Sequence, residues 1–159
     1  MPSGPTPAVR ALVNAGVQFE LHSYRHDPDC DSYGDEVVAA LDVDPLRVLK
    51  TLIVEADTRL ACAVVPVAHK LDFRSLAGAL DVKSTRMAER AAAERSSGYV
   101  IGGVSPIGQK RKLATVVDET ALAWPTVYVS AGRRGLELEI SPADLLRATN
   151  ATTARISRS

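Results

Sequence analysis

The sequence has little of what usually announces a chemistry. It contains 2 cysteines in 159 residues, Cys30 and Cys62, too few for a disulfide framework and in no CxxC or Cys/His spacing, which argues against a structural zinc site. No apolar run approaches the roughly 18 residues of a membrane span, and the opening MPSGPTPAVRALVNAGV lacks a basic start followed by an apolar stretch. A cytoplasmic chain with no membrane contact is expected. Net charge is missing as well, because 19 Lys+Arg balance 19 Asp+Glu, and broad non-specific binding of nucleic acid is disfavoured. There is no internal repeat and no low-complexity tract. The patterns GxxxxGK(S/T), GxGxxG and GxSxG are absent, which excludes a Walker A loop, a dinucleotide loop and a nucleophile elbow.

What is present is the composition of one soluble domain spanning residues 1–159: 46% hydrophobic and 24% charged residues. A chain of this length buries roughly 70% of its unfolded surface and needs no metal or disulfide to hold a core. The balanced charge conceals an asymmetry. Residues 1–80 carry 7 basic against 11 acidic side chains, and residues 81–159 carry 12 against 8. Either folding scatters this difference over the surface, or the second half supplies the attraction for a polyanion.

Thr6-Pro7 reads as the cap and first residue of a short helix with Val9, Leu12 and Val13 on one side and Gly16 as its stop. Gln18 to Tyr24 alternates as a strand, Phe19 and Leu21 on one face, Glu20 and His22 on the other. After the loop HDPDCDSYG, Ser32 with Asp35 three residues on reads as a capping box opening a helix through Val37, Val38 and Leu41, and Asp44-Pro45 signals one further turn. KTLIVE, ADTR and LACAVVPV form a hairpin. Asp72 opens a helix through Leu76 and Leu80, and the Ala-rich stretch Met87 to Arg95 predicts another. GYVIGGVSPIGQKRK then reads as glycine-rich and strand-like, followed by strands in LATVVDE, TVYVS and LELEI, the last two joined by the turn AGRRG. Ser141-Pro142 opens a closing helix, ATTARIS adds a short strand, and the final SRS reads as a loose tail. Strands and helices interspersed without βαβ alternation predict an α+β domain with a mixed, largely antiparallel sheet.

Lys50, at the mouth of the most apolar strand, has either its ammonium in a cleft or its stem snorkelling to solvent; in a cleft it would bind a phosphate or carbonyl oxygen. Gly102, Gly103 and Gly108 would let backbone approach a ligand and aim amides at an anion, or they mark bends in strands. Lys110-Arg111-Lys112 is either a solvated turn or a contact for a phosphate backbone. The segment Ser130 to Gly135 is a hairpin turn with basic tips or the wall of a pocket. No motif ties His22, His26 or His69 to a serine nucleophile, though a triad could still assemble in space. Cys62 reads as a buried small hydrophobe, and Cys30, among Asp27, Asp29 and Asp31, sits in a negative field unfavourable to a thiolate. Those aspartates and Asp35 lack the glycine and terminal glutamate of an EF-hand, so they read as capping and loop solvation.

Taken together, HDP…YGDEVVAAL, VLKTLIVE, LACAVVPV, LDFRSLAGAL, RSSGYVIGGVSPIGQKRKL and TVYVSAGRRGLELEI resemble, in order and spacing over residues 6–157, the YbaK family. Its members are Cys-tRNA(Pro) and Cys-tRNA(Cys) deacylases related to the editing insertion domain of prolyl-tRNA synthetase. The resemblance implies a mixed, barrel-like sheet with flanking helices and no cofactor or metal. It implies that Lys50 holds the terminal adenosine or the ester, that amides at Gly102 and Gly103 stabilise the oxyanion, and that Tyr24, Ser105, Pro106, Ser130 and Gly132 line the pocket. The substrate's own thiolate would attack its ester carbonyl, so orientation carries much of the rate. Lys110, Arg111, Lys112, Arg133 and Arg134 would hold the CCA end, with a transient prolyl-tRNA synthetase complex supplying tRNA selectivity. Ala131 stands where many members have glycine, and Arg133 where lysine is common, changes that bear on amino-acid selectivity. Two alternatives remain at this point: an Ala-tRNA(Pro)-type hydrolase in which water attacks, and a non-catalytic module binding an aminoacyl or nucleotide ligand.

Overall fold

The computed structural model describes residues 5–30 and 32–159, so Asp31 lies outside the described residues. Helix α1, Pro7–Ala15, begins as its sequence predicts: the Thr6 hydroxyl accepts the Val9 amide at 3.2 Å, proline takes the first turn, and Gly16 closes it at φ 69. Strand β1, Glu20–Ser23, follows. Phe19 packs on the core, whereas Leu21 is 46% exposed, so the predicted inward face is only half inward. Helix α2, Tyr33–Leu41, starts without a reciprocal capping box, because the Ser32 hydroxyl donates to the Asp35 carboxylate at 2.6 Å instead of accepting a backbone amide.

Strands β2, Leu49–Ala56, and β3, Arg59–Pro66, form the predicted hairpin, with Asp57 in the turn at φ 55. The two-residue β4, Lys70–Leu71, leads into α3, Phe73–Leu80, whose Asp72 cap accepts the Ser75 amide at 3.1 Å. Met87 ends β5, Thr85–Met87, and helix α4 begins only at Arg90, running to Ser97. Residues 98–113 contain no strand: the glycine-rich segment is a series of turns, correcting the strand-like reading. Then come β6, Ala114–Asp118, a short 3-10 helix Glu119–Ala123, β7, Val127–Arg133, β8, Leu136–Ile140, α5, Pro142–Thr149, β9, Thr152–Ala154, and β10, Ser157–Arg158. The expected loose tail is thus paired: Ser157 and Arg158 face Leu71 and Lys70 of β4.

The fold is α+β and mixed. Five of the seven ladders among the described residues are antiparallel, and β3–β6 and β6–β9 are parallel. A five-stranded sheet β5-β2-β3-β6-β9 and a three-stranded sheet β1-β8-β7 meet through a parallel bridge between Val48 and Tyr128, without closing a barrel among the described residues. Alternation along the central strands feeds two cores. Ile53, Cys62, Val64 and Val117 face the three-stranded sheet, α1 and α5, while Val54, Ala63, Val65 and Val116 pack with Leu76 of α3 and Ile156. That double burial is why LACAVVPV is continuously apolar. Truncating a fully buried residue such as Leu76 would cost about 2–5 kcal/mol. A third, smaller cluster, Val37, Val48 and Tyr128, seats α2 over the junction of the two sheets.

Candidate functional site

Where the two sheets splay under α2, a cavity of about 580 Å³ opens. Strand β2 forms its floor, the N-terminus of α2 and residues 67–70 its sides, and Ile101, Gly102, Val104, Ser130 and Glu137 its back wall. Lys50 projects from β2 into this cavity and is half-buried, so the cleft alternative holds over the snorkel to open solvent. Burial holds its ammonium below the usual lysine range, with Asp35 opposing the shift and Lys70 adding to it. Tyr24 stands at the end of β1, its hydroxyl pushed up chiefly by burial.

The hairpin β7–β8 places Ser130 directly opposite Glu137. The Ser130 hydroxyl donates to the Gly103 carbonyl at 3.1 Å and accepts the Gly132 amide at 3.1 Å, tying the bulged end of β7 to the glycine loop. Glu137 is 5% exposed, its Oε2 has no hydrogen-bond partner, and burial pushes its carboxyl up to about 8. At neutral pH it is a mostly neutral acid in the wall of the cavity that Lys50 enters. The sequence reading passed over this residue. The signal was present, since Ser130 and Glu137 flank the AGRRG turn and LELEI alternates, but only the register makes them neighbours. Thr51 Oγ1, also in the lining, is buried without a partner.

Other expected site residues take different places. Gly102 lines the cavity at φ 95, and a Cβ there would overlap the Arg134 guanidinium. Gly103 lies behind the wall: its amide donates to the Val100 carbonyl at 2.9 Å, and a Cβ would come within 2.8 Å of Arg133 Cα. Ser105, fully buried, accepts the Ile107 amide at 3.2 Å and, like Pro106, is outside the lining. Gly132 faces Tyr99 and Thr6. Lys110, Arg111 and Lys112 are exposed, and the first two give their amides to Ser97 and Ser96 at the end of α4, away from the lining.

Arg134 is occupied inside the fold. Its guanidinium lies 4.1 Å over the Tyr33 ring, donates to the Ile101 carbonyl at 3.0 Å and to the Tyr33 hydroxyl, and reaches His26 at 3.5 Å. It thereby clamps the β7–β8 turn to the glycine loop and the start of α2, three elements that bound the cavity. Arg133 is exposed at the same turn. For a metal, the described residues offer one group of three, Glu20, His22 and Glu139, with ligand atoms within 4.8 Å of one another. Glu139 is already compensated by Arg47 at 3.3 Å, and the group is outside the cavity lining. Cys62 is fully buried with its thiol pushed up to about 12 by burial, and Cys30 is not part of the cavity. No helix among the described residues is long and apolar enough to cross a membrane.

A half-buried lysine, a glycine of the 98–113 turns and a buried carboxyl thus converge on one cavity of mixed apolar and polar lining. The family model for the aminoacyl-tRNA editing domain matches residues 27–148, and the chain belongs to that family. Among curated proteins, EbsC of Enterococcus faecalis, which carries the name of a Cys-tRNA(Pro)/Cys-tRNA(Cys) deacylase, is 32% identical over 152 residues, 95% of this chain and 92% of its own length. Among solved structures, the hypothetical protein APE2540 superposes with a TM-score of 0.86 at 27% identity, covering 96% of this chain and 100% of its own. A protein described as a trans-editing enzyme for prolyl-tRNA synthetase has the same fold, with a TM-score of 0.85 at 21% identity, covering 98% and 100%.

Proposed function

We propose that this protein is a trans-editing deacylase that releases cysteine from Cys-tRNA(Pro) and Cys-tRNA(Cys) by a substrate-thiol mechanism. The observation that carries the reading is the cavity itself: it presents Lys50 and Gly102 to a ligand, yet no hydroxyl of its lining is hydrogen-bonded to a histidine among the described residues. A site with a cation, an amide donor and no hydroxyl paired to a histidine base suits a reaction whose nucleophile comes with the substrate.

In that reaction the substrate sulfur forms a bond to its own ester carbonyl carbon. The bond from that carbon to the adenosine 3′ oxygen breaks, and the thiol proton ends on the released 3′ hydroxyl, leaving a cyclic thiolactone. Lys50 anchors the terminal adenosine or the ester oxygen. The oxyanion contact falls on the Gly102 amide alone, because that of Gly103 is committed to Val100. Glu137 meets the α-ammonium of the aminoacyl group, which draws the proton off a carboxyl otherwise held neutral. A small cavity beside one domain leaves tRNA selectivity to a transient complex with prolyl-tRNA synthetase.

Deacylation of Cys-tRNA(Pro), Cys-tRNA(Cys), Ala-tRNA(Pro) and Pro-tRNA(Pro) by wild-type and Lys50→Ala protein tests the reading. Loss of cysteine from both cysteinyl substrates, reduced at least 100-fold in the variant, supports it. Hydrolysis of the alanyl substrate instead would mean attack by water, and inactivity on all four would leave a binding module.

A further inference from the structure

Most of the ionisable clusters outside the cavity satisfy themselves. Glu20, His22, Glu139 and Arg47 form one such network, and His26, Glu36 and Arg134 another. Several exposed cations among the described residues do not, Lys110, Arg111 and Lys112 in one place and Lys70, Arg155 and Arg158 in another. None of these takes part in an ion pair or side-chain hydrogen bond among the described residues. On the β4–β10 ladder Arg158 stands directly opposite Lys70. Like charges facing each other across a ladder repel. The carboxylate nearest in sequence to Lys70, Asp72, caps α3 and is held below its usual range chiefly by the Ser75 amide, with Arg158 adding to the shift, so it offsets part of the charge at β10.

The position of this pair matters as much as its charge. Lys70 belongs to the rim of the Lys50 cavity, and so does His69. His69 also lines a second cleft of about 300 Å³, together with Arg155 and Arg158. Asp118 in that cleft is turned inward, accepting the Ile156 amide at 2.8 Å, which leaves Glu119 as its exposed acidic side chain. A cationic ridge therefore runs from the mouth of the cavity over β4 and β10. A cavity of about 580 Å³ has room for an aminoacylated nucleoside and little more, so the phosphates that precede the terminal adenosine must lie outside it.

We infer that the ridge of Lys70, Arg158 and Arg155 receives the phosphate backbone of the acceptor end of the tRNA as it leaves the cavity. The inference takes the ligand's identity from the deacylase reading. It moves the principal RNA contact away from Lys110–Lys112, whose backbone is tied to the end of α4 and not to the β4 strand that reaches the cavity rim, and from Arg134, which is spent on the fold. Phosphate contacts of this kind fix the register of an RNA without reading its sequence.

The test uses the whole protein and an uncharged acceptor-stem minihelix ending in CCA, followed by fluorescence anisotropy between 50 and 200 mM salt. Arg158→Glu and Arg155→Glu are each expected to weaken binding about 5- to 10-fold or more and to flatten the plot of log affinity against log salt by about one unit. Arg158→Lys should restore both. In deacylation, the ratio of kcat/KM for a cysteinyl minihelix to that for 3′-cysteinyl-adenosine should fall by the same factor, through KM. Unchanged salt slopes, an unchanged ratio, or loss of prolyl-tRNA synthetase binding with RNA binding intact would each overturn the inference. A ridge-dependent salt slope in a protein that deacylates nothing would sink the deacylase reading and leave the RNA track standing; activity with slopes unaltered in the variants would do the reverse.

Discussion

Replacing Glu137 with glutamine changes one atom, and the structure says what that atom costs. The carboxyl is buried opposite Ser130 with one oxygen unpartnered, and burial pushes it up to about 8 from an ordinary 4.5. The folded protein therefore keeps a proton that the unfolded chain gives up near pH 4.5, so the native state is favoured at low pH and loses stability as pH rises towards 8. Each pH unit in that window corresponds to about 1.4 kcal/mol, and the whole span to on the order of 5 kcal/mol. Glutamine carries no titratable proton and fills the same volume. Urea unfolding of wild type and Glu137→Gln at pH 5, 6, 7, 8 and 9 isolates the effect, because every other group is common to both and cancels in the difference. The stability of wild type relative to the variant should fall steadily from pH 5 to 8 and level off above. A difference that stays within about 0.5 kcal/mol across the series would refute the burial argument and, with it, the neutral carboxyl in the cavity wall.

Gly102→Ala forces a side chain onto a backbone at φ 95 and into the Arg134 guanidinium. It should cost about 1–3 kcal/mol in unfolding free energy and lower kcat/KM. Adding Arg134→Ala should cost less than the sum of the two single changes, since the overlap is then gone, a non-additivity that a double-mutant cycle reads directly. Cys62→Ser buries a hydroxyl where a thiol packed and should lose about 1–3 kcal/mol by denaturation, with the activity per folded molecule kept. Cys30→Ser, part-exposed and outside the cavity, should stay within about 0.5 kcal/mol and keep full activity; strong loss of turnover in either cysteine variant would contradict the substrate-thiol mechanism.

Features that depend on a few neighbouring residues were legible in advance. Thr6-Pro7 to Gly16, Asp72 and Ser141-Pro142 mark helix ends because capping is a contact between a side chain and amides two or three residues away. The β2–β3 hairpin was legible because its turn is short and its strands apolar. The glycine-rich segment misled because Tyr99, Val104 and Ile107 are apolar for a reason other than pairing: they plug the core from a loop whose amides are shared between the end of α4 and the loop's own turns. Nothing local distinguishes those two uses of an apolar residue. Met87 was drawn into the Ala-rich helix for a similar reason, its neighbours being helix formers while β2 across the sheet claims it for β5.

The site divides along the same line. The residues themselves marked Lys50, Gly102 and Ser130 as candidates and the family resemblance added Tyr24, and these four line one cavity. The same reading also drew in Gly103 and Ser105, which lie outside the lining, and gave Arg134, whose guanidinium is engaged within the fold, to the CCA end of the tRNA. Which face a residue turns to is set by strand register, by the bulge in β7 and by the Arg134 clamp, interactions between segments far apart in the chain. The same long-range pairing brought Glu137 to the wall and carried Arg158 to a position opposite Lys70. Residue type decides what chemistry a side chain could perform; the closure of distant strands decides which of those side chains share a ligand.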